Sequence, residues 1–174
     1  MNRLFLVREG VMHWMTRVLK TFLLILLFTF LGMFKGEVAL SQCTINTTPV
    51  NFGNYDAFSS TPLDAAGIIT VNCSRDVVWA HVTLGASSTS GTFNPRRMRR
   101  SAEADLLAYN VYSDVTRTVI FGDGTGGTSG FDFKRPTGRP QPWSQTINIY
   151  GRIPPGQDVP VGTYSDTLTA TVTP

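Results

Sequence analysis

Gly162-Thr163-Tyr164-Ser165-Asp166-Thr167-Leu168-Thr169-Ala170-Thr171-Val172-Thr173 runs to within one residue of Pro174, the last in the sequence. Leu168, Ala170 and Val172 fall on one face of this stretch, and Thr167, Thr169, Thr171 and Thr173 on the other. Strict period-two alternation marks a strand with one buried face. Ahead of it, Tyr150-Gly151-Arg152-Ile153-Pro154-Pro155-Gly156-Gln157 reads as a strand end followed by a Pro/Gly turn. No later stretch is expected to pair with the final strand. A bare edge next to a buried face is a liability unless something covers it. Leu168, Ala170 and Val172 are therefore expected to line one side of an open groove.

Moving towards the N-terminus, the same alternation recurs. Thr146 to Ile153 places Ile147, Ile149 and Ile153 on one face. Val77 to Leu84 predicts Val78, Ala80, Val82 and Leu84 inward, with Trp79, His81 and Thr83 outward. Ile68 to Cys73 sets Ile69, Val71 and Cys73 together. Leu106 to Ser113 is apolar and aromatic, and Val50 to Tyr55 and Val119 to Phe121 read as short strands. Ser/Thr/Gly and Gly-rich loops separate these runs, and no 3.6-residue stripe appears after residue 41. About seven short strands punctuated by turns predict an all-β, antiparallel sandwich in one domain, residues 42–174.

The first 41 residues read differently. Arg3, Arg8, Arg17 and Lys20 precede the apolar run Thr21 to Phe34, and small residues follow at Ala39 and Ser41. This pattern predicts a secretory signal peptide over 1–41, cut after Ser41. A membrane anchor competes with it, although the run is shorter than the ~20 residues a spanning helix needs. A lipidated Cys43 also competes, but Gln42 stands where such signals carry Gly or Ala. Five of the 15 basic and two of the 12 acidic residues precede residue 42, which leaves ten of each in the exported part. The basic character of the whole chain thus belongs to the signal, and it gives no support to nucleic-acid binding. Both cysteines, Cys43 and Cys73, lie in the exported part. An oxidising compartment predicts one disulfide between them, contributing about 3–4 kcal/mol by restricting the unfolded chain.

Several stretches together carry a resemblance. They are Pro62-Leu63-Asp64-Ala65-Ala66-Gly67, Ile69-Thr70-Val71-Asn72-Cys73, Leu107-Ala108-Tyr109-Asn110-Val111-Tyr112-Ser113-Asp114, Phe121-Gly122-Asp123-Gly124-Thr125, Tyr150-Gly151-Arg152-Ile153-Pro154 and Gly162-Thr163-Tyr164-Ser165-Asp166. In this order they resemble the spore coat protein U family, which includes the Csu-type pilins of archaic chaperone–usher pili. The resemblance implies an incomplete immunoglobulin-like sandwich that lacks its last strand. It also implies a periplasmic chaperone, an outer-membrane usher and neighbouring pilin subunits as partners, the gap being filled by strand addition. The implied role is a non-enzymatic subunit of a surface pilus, exported through the periplasm and serving adhesion and biofilm formation. A secreted or coat-associated sandwich that does not polymerise is the alternative. Polymerising relatives carry a donor extension ahead of the first cysteine, whereas cleavage after Ser41 would leave only Gln42. A tip or non-donating subunit is expected on that ground.

Chemistry-bearing motifs are sparse. Gly122-Asp123-Gly124-Thr125-Gly126-Gly127 lacks the Lys-Ser/Thr of a phosphate loop and the Glu of an EF-hand, so it reads as an inter-strand loop. His81 has no Ser elbow to serve, and two cysteines without a neighbouring His make no zinc site. No catalytic residue, cofactor, metal, nucleic acid or small-molecule substrate is expected. Arg96, Arg97, Arg99 and Arg100 form one dense cationic run, read as a solvated edge pairing with Glu103 and Asp105 or as a contact for an anionic surface. Phe131, Phe133 and Trp143 lie in or beside loops, where they are candidates either for surface contact or for core packing.

Overall fold

The computed structural model describes residues 42–101, 103–138 and 142–174. The expected signal peptide, 1–41, lies outside the described residues. Nine strands form: β1 (Cys43–Thr48), β2 (Leu63–Cys73), β3 (Trp79–Leu84), β4 (Arg96–Arg100), β5 (Leu106–Tyr112), β6 (Phe131–Lys134), β7 (Trp143–Ile153), β8 (Tyr164–Ser165) and β9 (Ala170–Thr173). No helix occurs among the described residues. One sheet has the order β1-β2-β7-β5-β4-β8 and the other β6-β3-β9, and every strand pair is antiparallel. Inward residues from both sheets share one core: Ile69 and Val71 of β2, Ala80, Val82 and Leu84 of β3, Leu107 and Val111 of β5, Ile147, Ile149 and Ile153 of β7. The expected all-β sandwich is what the chain forms.

β1 and β2 are zipped at their ends by the Cys43–Cys73 disulfide, the two cysteines facing each other directly in the ladder. Cys73 in turn opposes Trp143 of β7, so the bridge sits on the longest paired segment of the sandwich.

Three local expectations fail, each for a physical reason. Val50 to Tyr55 is not a strand. Val50 and Phe52 instead turn into the core across two inward-facing glycines, Gly67 of β2 and Gly151 of β7. A Cβ built on Gly151 would lie 2.6 Å from both Val50 Cγ1 and Phe52 Cζ, and one on Gly67 would lie 2.7 Å from the Thr48 carbonyl. The glycines make the hollow, and the segment fills it. Val119 to Phe121 makes only isolated bridges, Tyr112 to Ile120 and Phe121 to Ser129. Val77, not Val78, is the buried residue before β3. A turn closed by the Val77 N–H on the Ser74 carbonyl precedes the strand, so the alternation starts only at Trp79.

Gly151→Ala should lower stability by about 1–3 kcal/mol, the usual cost of forcing a methyl into a filled core. Truncating Phe52 in the same chain should make the two losses less than additive in a denaturation cycle. A Gly151→Ala midpoint equal to that of the parent would show that Phe52 does not sit on Gly151.

Candidate functional site

The last strand changes sheets. Tyr164 and Ser165 pair with Arg100 and Arg99 of β4 in the larger sheet. From Ala170 onward the chain pairs with β3 of the smaller one, Ala170 opposite Leu84 and Val172 opposite Val82. Between the two, the N–H groups of Gly85 and Ser88 donate to the Thr169 and Thr167 carbonyls, so the ladder continues past the regular strand. β9 ends its sheet, and its other edge has no strand partner among the described residues.

Beside that edge lies an open groove of about 390 Å³. One wall is Thr47 to Val50 with Phe52, and the other is Tyr164 to Leu168 with Ala170. Its floor is core: Ile69, Leu84, Met98, Tyr109, Val111 and Ile149. Leu168 and Ala170 line it, with the exposed Thr167 at its rim, while Thr169, Thr171 and Thr173 face solvent away from it. Val172 is half-buried against the same core but lies beyond the groove lining, where β1 approaches β9.

Asp166 fixes the point at which the strand crosses. Its Oδ1 accepts from Ser88 Oγ at 2.9 Å, Thr89 N at 3.2 Å and Thr167 N at 2.9 Å, and its Oδ2 accepts from the Tyr109 hydroxyl at 2.7 Å. Burial alone would raise the carboxyl. Hydrogen bonds from the Tyr109 and Ser88 hydroxyls and the Thr167 N–H, with the Ser87 hydroxyl close by, outweigh that and hold its pKa below the usual value. Tyr109 is pushed far upward, first by burial and then by its bond to Asp166.

Behind this corner stands a residue that the sequence reading assigned to the surface. Arg96 is wholly buried. Its Nη1 donates to Asn110 Oδ1 at 2.9 Å, and its Nη2 donates to the carbonyls of Gly85 at 2.9 Å and Phe121 at 2.8 Å. The guanidinium lies 5.4 Å from the Phe93 ring centroid, and Nε has no protein partner. Burial lowers the pKa of Arg96, and nearby Tyr109 and Asp166 oppose that shift. The cation bolts the end of β3 and the Phe121 loop to β5. The dense arginine run is thus split by strand alternation: Arg96 and Met98 point inward, Arg97 and Arg99 outward. The signal was present in Met98, an apolar residue two positions from Arg96 inside a charged run.

The remaining candidates separate similarly. Arg100 donates to Asp105 through Nε at 2.8 Å and Nη2 at 2.5 Å, the pairing expected for the edge of the run. Trp143 is not a surface residue: it is buried, and its Nε1 donates to the Val77 carbonyl at 2.9 Å. Phe131 and Phe133 are half-buried, stacked on each other, with Phe131 edge-on to Phe121. His81 is outward, as expected, with Nδ1 2.7 Å from Asp132 of β6. The Gly122 to Gly130 loop is organised by Asp123, which accepts from the Thr125 N–H and hydroxyl. No cluster of metal-ligating side chains occurs among the described residues.

The fold and groove define an antiparallel sandwich with an uncovered strand edge. The spore coat protein U domain matches residues 33–171, and the chain belongs to that family. Protein U of Myxococcus xanthus is 37% identical over 134 residues, which span 71% of this chain and 70% of that protein. A solved structure of the CsuC–CsuE chaperone–tip adhesion subunit pre-assembly complex, from archaic chaperone–usher Csu pili of Acinetobacter baumannii, shares the fold with a TM-score of 0.52 at 21% identity. That match covers 76% of this chain and 40% of the solved one.

Two predictions follow from the polar corner. Arg96→Met strips donors from two carbonyls and Asn110, and should cost roughly 2–4 kcal/mol, since each buried group left unsatisfied costs about 1–3 kcal/mol. Exposed Arg97→Ala should change stability by no more than about 0.5 kcal/mol. Equal effects would place both side chains on the surface. For Asp166, the folded pKa lies below the ordinary value of 3.8. Its contribution is therefore complete above the unfolded pKa and is lost as pH falls through the depressed folded value. Asp166→Asn should be less stable than the parent at neutral pH, with the gap between their thermal midpoints closing below about pH 4. A gap that is constant down to pH 2 would remove Asp166 from the acid response.

Proposed function

We propose that this chain is a structural, non-enzymatic subunit of a chaperone–usher surface pilus, exported under a signal within residues 1–41 and folded over 42–174. One observation carries the reading: among the described residues the last strand has a bare edge, along a groove whose floor is the hydrophobic core. An extended strand from a partner satisfies both needs, pairing with the β9 edge and placing alternate apolar side chains on Leu84, Val111 and Ile149. In the periplasm that strand comes from a chaperone, and at the surface from a neighbouring subunit. Family membership and the shared fold support this reading.

We further place the subunit at the distal end of a fibre, or as an accessory that accepts a strand without giving one. With cleavage after Ser41, Gln42 alone precedes the disulfide-anchored Cys43, whereas a donor strand needs about ten residues at ~3.3 Å each. The family match begins at residue 33, so N-terminal sequencing of the exported protein is the direct test of this placement. A mature N-terminus upstream of residue 30 would overturn it.

The central test is co-expression with the cognate chaperone. The subunit alone should degrade or aggregate, and with the chaperone it should be recovered as a one-to-one complex. Leu168→Asp should abolish recovery because it buries an uncompensated charge, while Thr169→Asp on the solvent face should retain most of it. A stable soluble monomer without the chaperone would favour a coat-associated domain that does not polymerise. Equal loss in both variants would mean that the groove is not the docking site.

A further inference from the structure

The groove is not uniformly apolar. Tyr164, Asp166, Leu168, Ala170 and Val172 form the inward row of the last strand, each half-buried between exposed neighbours. Asp166 therefore occupies a position where alternation calls for an apolar side chain. It lines the groove together with Tyr109. Beside Ala170 the lining is hydrocarbon, with Leu84 directly opposite in the ladder. Four residues back along the same strand it presents a carboxylate.

That carboxylate is unevenly used. Oδ1 accepts three hydrogen bonds, from Ser88 Oγ and from the N–H groups of Thr89 and Thr167. Oδ2 accepts one, from the Tyr109 hydroxyl, and no other donor reaches it among the described residues. A carboxylate oxygen has room for two donors. A strand laid in the groove removes the solvent above Oδ2, and a buried acceptor left short of a partner is costly. A positive charge is already in place, because buried Arg96 behind the corner feels the charge of Asp166. What the incoming strand has to supply at this point is a donor, not a second cation.

Resting on strand addition at the groove, we propose that the Asp166–Tyr109 corner is a polar subsite that selects a strand carrying a neutral hydrogen-bond donor, Ser, Thr or Asn, at one inward position. Inward positions repeat about every 6.6 Å along a strand. The selected residue thus lies two positions from the side chain beside Leu168 and four from the one beside Ala170, at one end of the apolar series. A wholly apolar strand fills the floor and leaves Oδ2 short of a donor. A strand with a carboxylate there sets two like charges together. The corner thereby fixes the register and the direction of the strand that fills the groove.

The test uses the exported subunit in complex with its chaperone and synthetic peptides of about twelve residues, Val inward and Thr outward. In a series of peptides one Val at a time is replaced by Ser, and chaperone release is followed by size-exclusion chromatography. The all-Val peptide should release the chaperone. Ser at a single position near one end of the apolar series should speed release about tenfold, Asp at that position should abolish it, and Ser elsewhere should slow it. Tyr109→Phe takes away the one donor on Oδ2 and should enlarge the Ser preference, whereas Asp166→Ala should erase it. Should Asp166→Ala not be recovered with the chaperone, Tyr109→Phe decides. Release by the all-Val peptide with Ser slower at every position overturns the subsite and leaves strand addition standing. A Ser preference that neither variant changes also overturns it. No release by any peptide overturns strand addition at the groove, and the subsite with it.

Discussion

Among the described residues the last strand has a strand neighbour on one side only, and much of the sandwich is arranged around its bare side. A strand edge beside solvent is tolerable when its side chains are polar on both faces. Here one face carries Leu168 and Ala170 and opens onto core residues of both sheets. The chain meets this partly from within. Val50 and Phe52 enter over Gly67 and Gly151, and Phe52 meets Tyr109 edge-on at 6.1 Å between ring centroids. The inserted segment closes one end of the hollow and becomes a wall of what remains.

Holding the last strand in two sheets requires a polar corner inside an apolar structure. Asp166 gathers four hydrogen bonds where the strand crosses, one of them from Tyr109 on the groove floor. Arg96 stands behind it, bonded to carbonyls and an amide instead of to a carboxylate. Burying a guanidinium is expensive and removing its partners more so, so the corner is rigid in either direction of change. That rigidity sets the groove wall from Tyr164 to Leu168 at a fixed distance from its floor. The same arrangement explains why the wall keeps its form next to an open space.

Alternation made much of this legible. β2, β3, β7 and the final strand obey it, and it gave both the sandwich and the Leu168 and Ala170 side of the groove. It failed where the chain is not extended: a turn shifts the burial from Val78 to Val77, and Val50 to Tyr55 reads like a strand because its apolar residues are spaced like one. What distinguishes that segment is the pair of glycines on other strands, far away in sequence, that give it somewhere to go. Arg96 was missed because charge was read ahead of period, although Met98 carried the phase. Trp143 was left open between surface and core by its place beside a loop; it is core, and its indole N–H finds a carbonyl from the turn before β3. The opposite wall of the groove was not legible, since nothing local in Thr47 to Phe52 says that it faces Leu168.

The size of the uncovered floor sets what the proposed strand addition is worth. A domain of this size is stable by only about 5–15 kcal/mol. Fully burying one aliphatic side chain is worth about 1.5–3 kcal/mol. An incoming strand that seats three such residues on Leu84, Val111 and Ile149 adds roughly 5–9 kcal/mol before the entropy of ordering it is subtracted. That is comparable with the stability of the whole domain, so occupancy of the groove and integrity of the fold cannot be independent. The internal plug of Val50 and Phe52 then has a second consequence. On the proposed reading it secures one end of the core from within and leaves the end nearer Leu168 to gain from an incoming strand. The two inward glycines, by seating Val50 and Phe52, set how much of the core is covered from within.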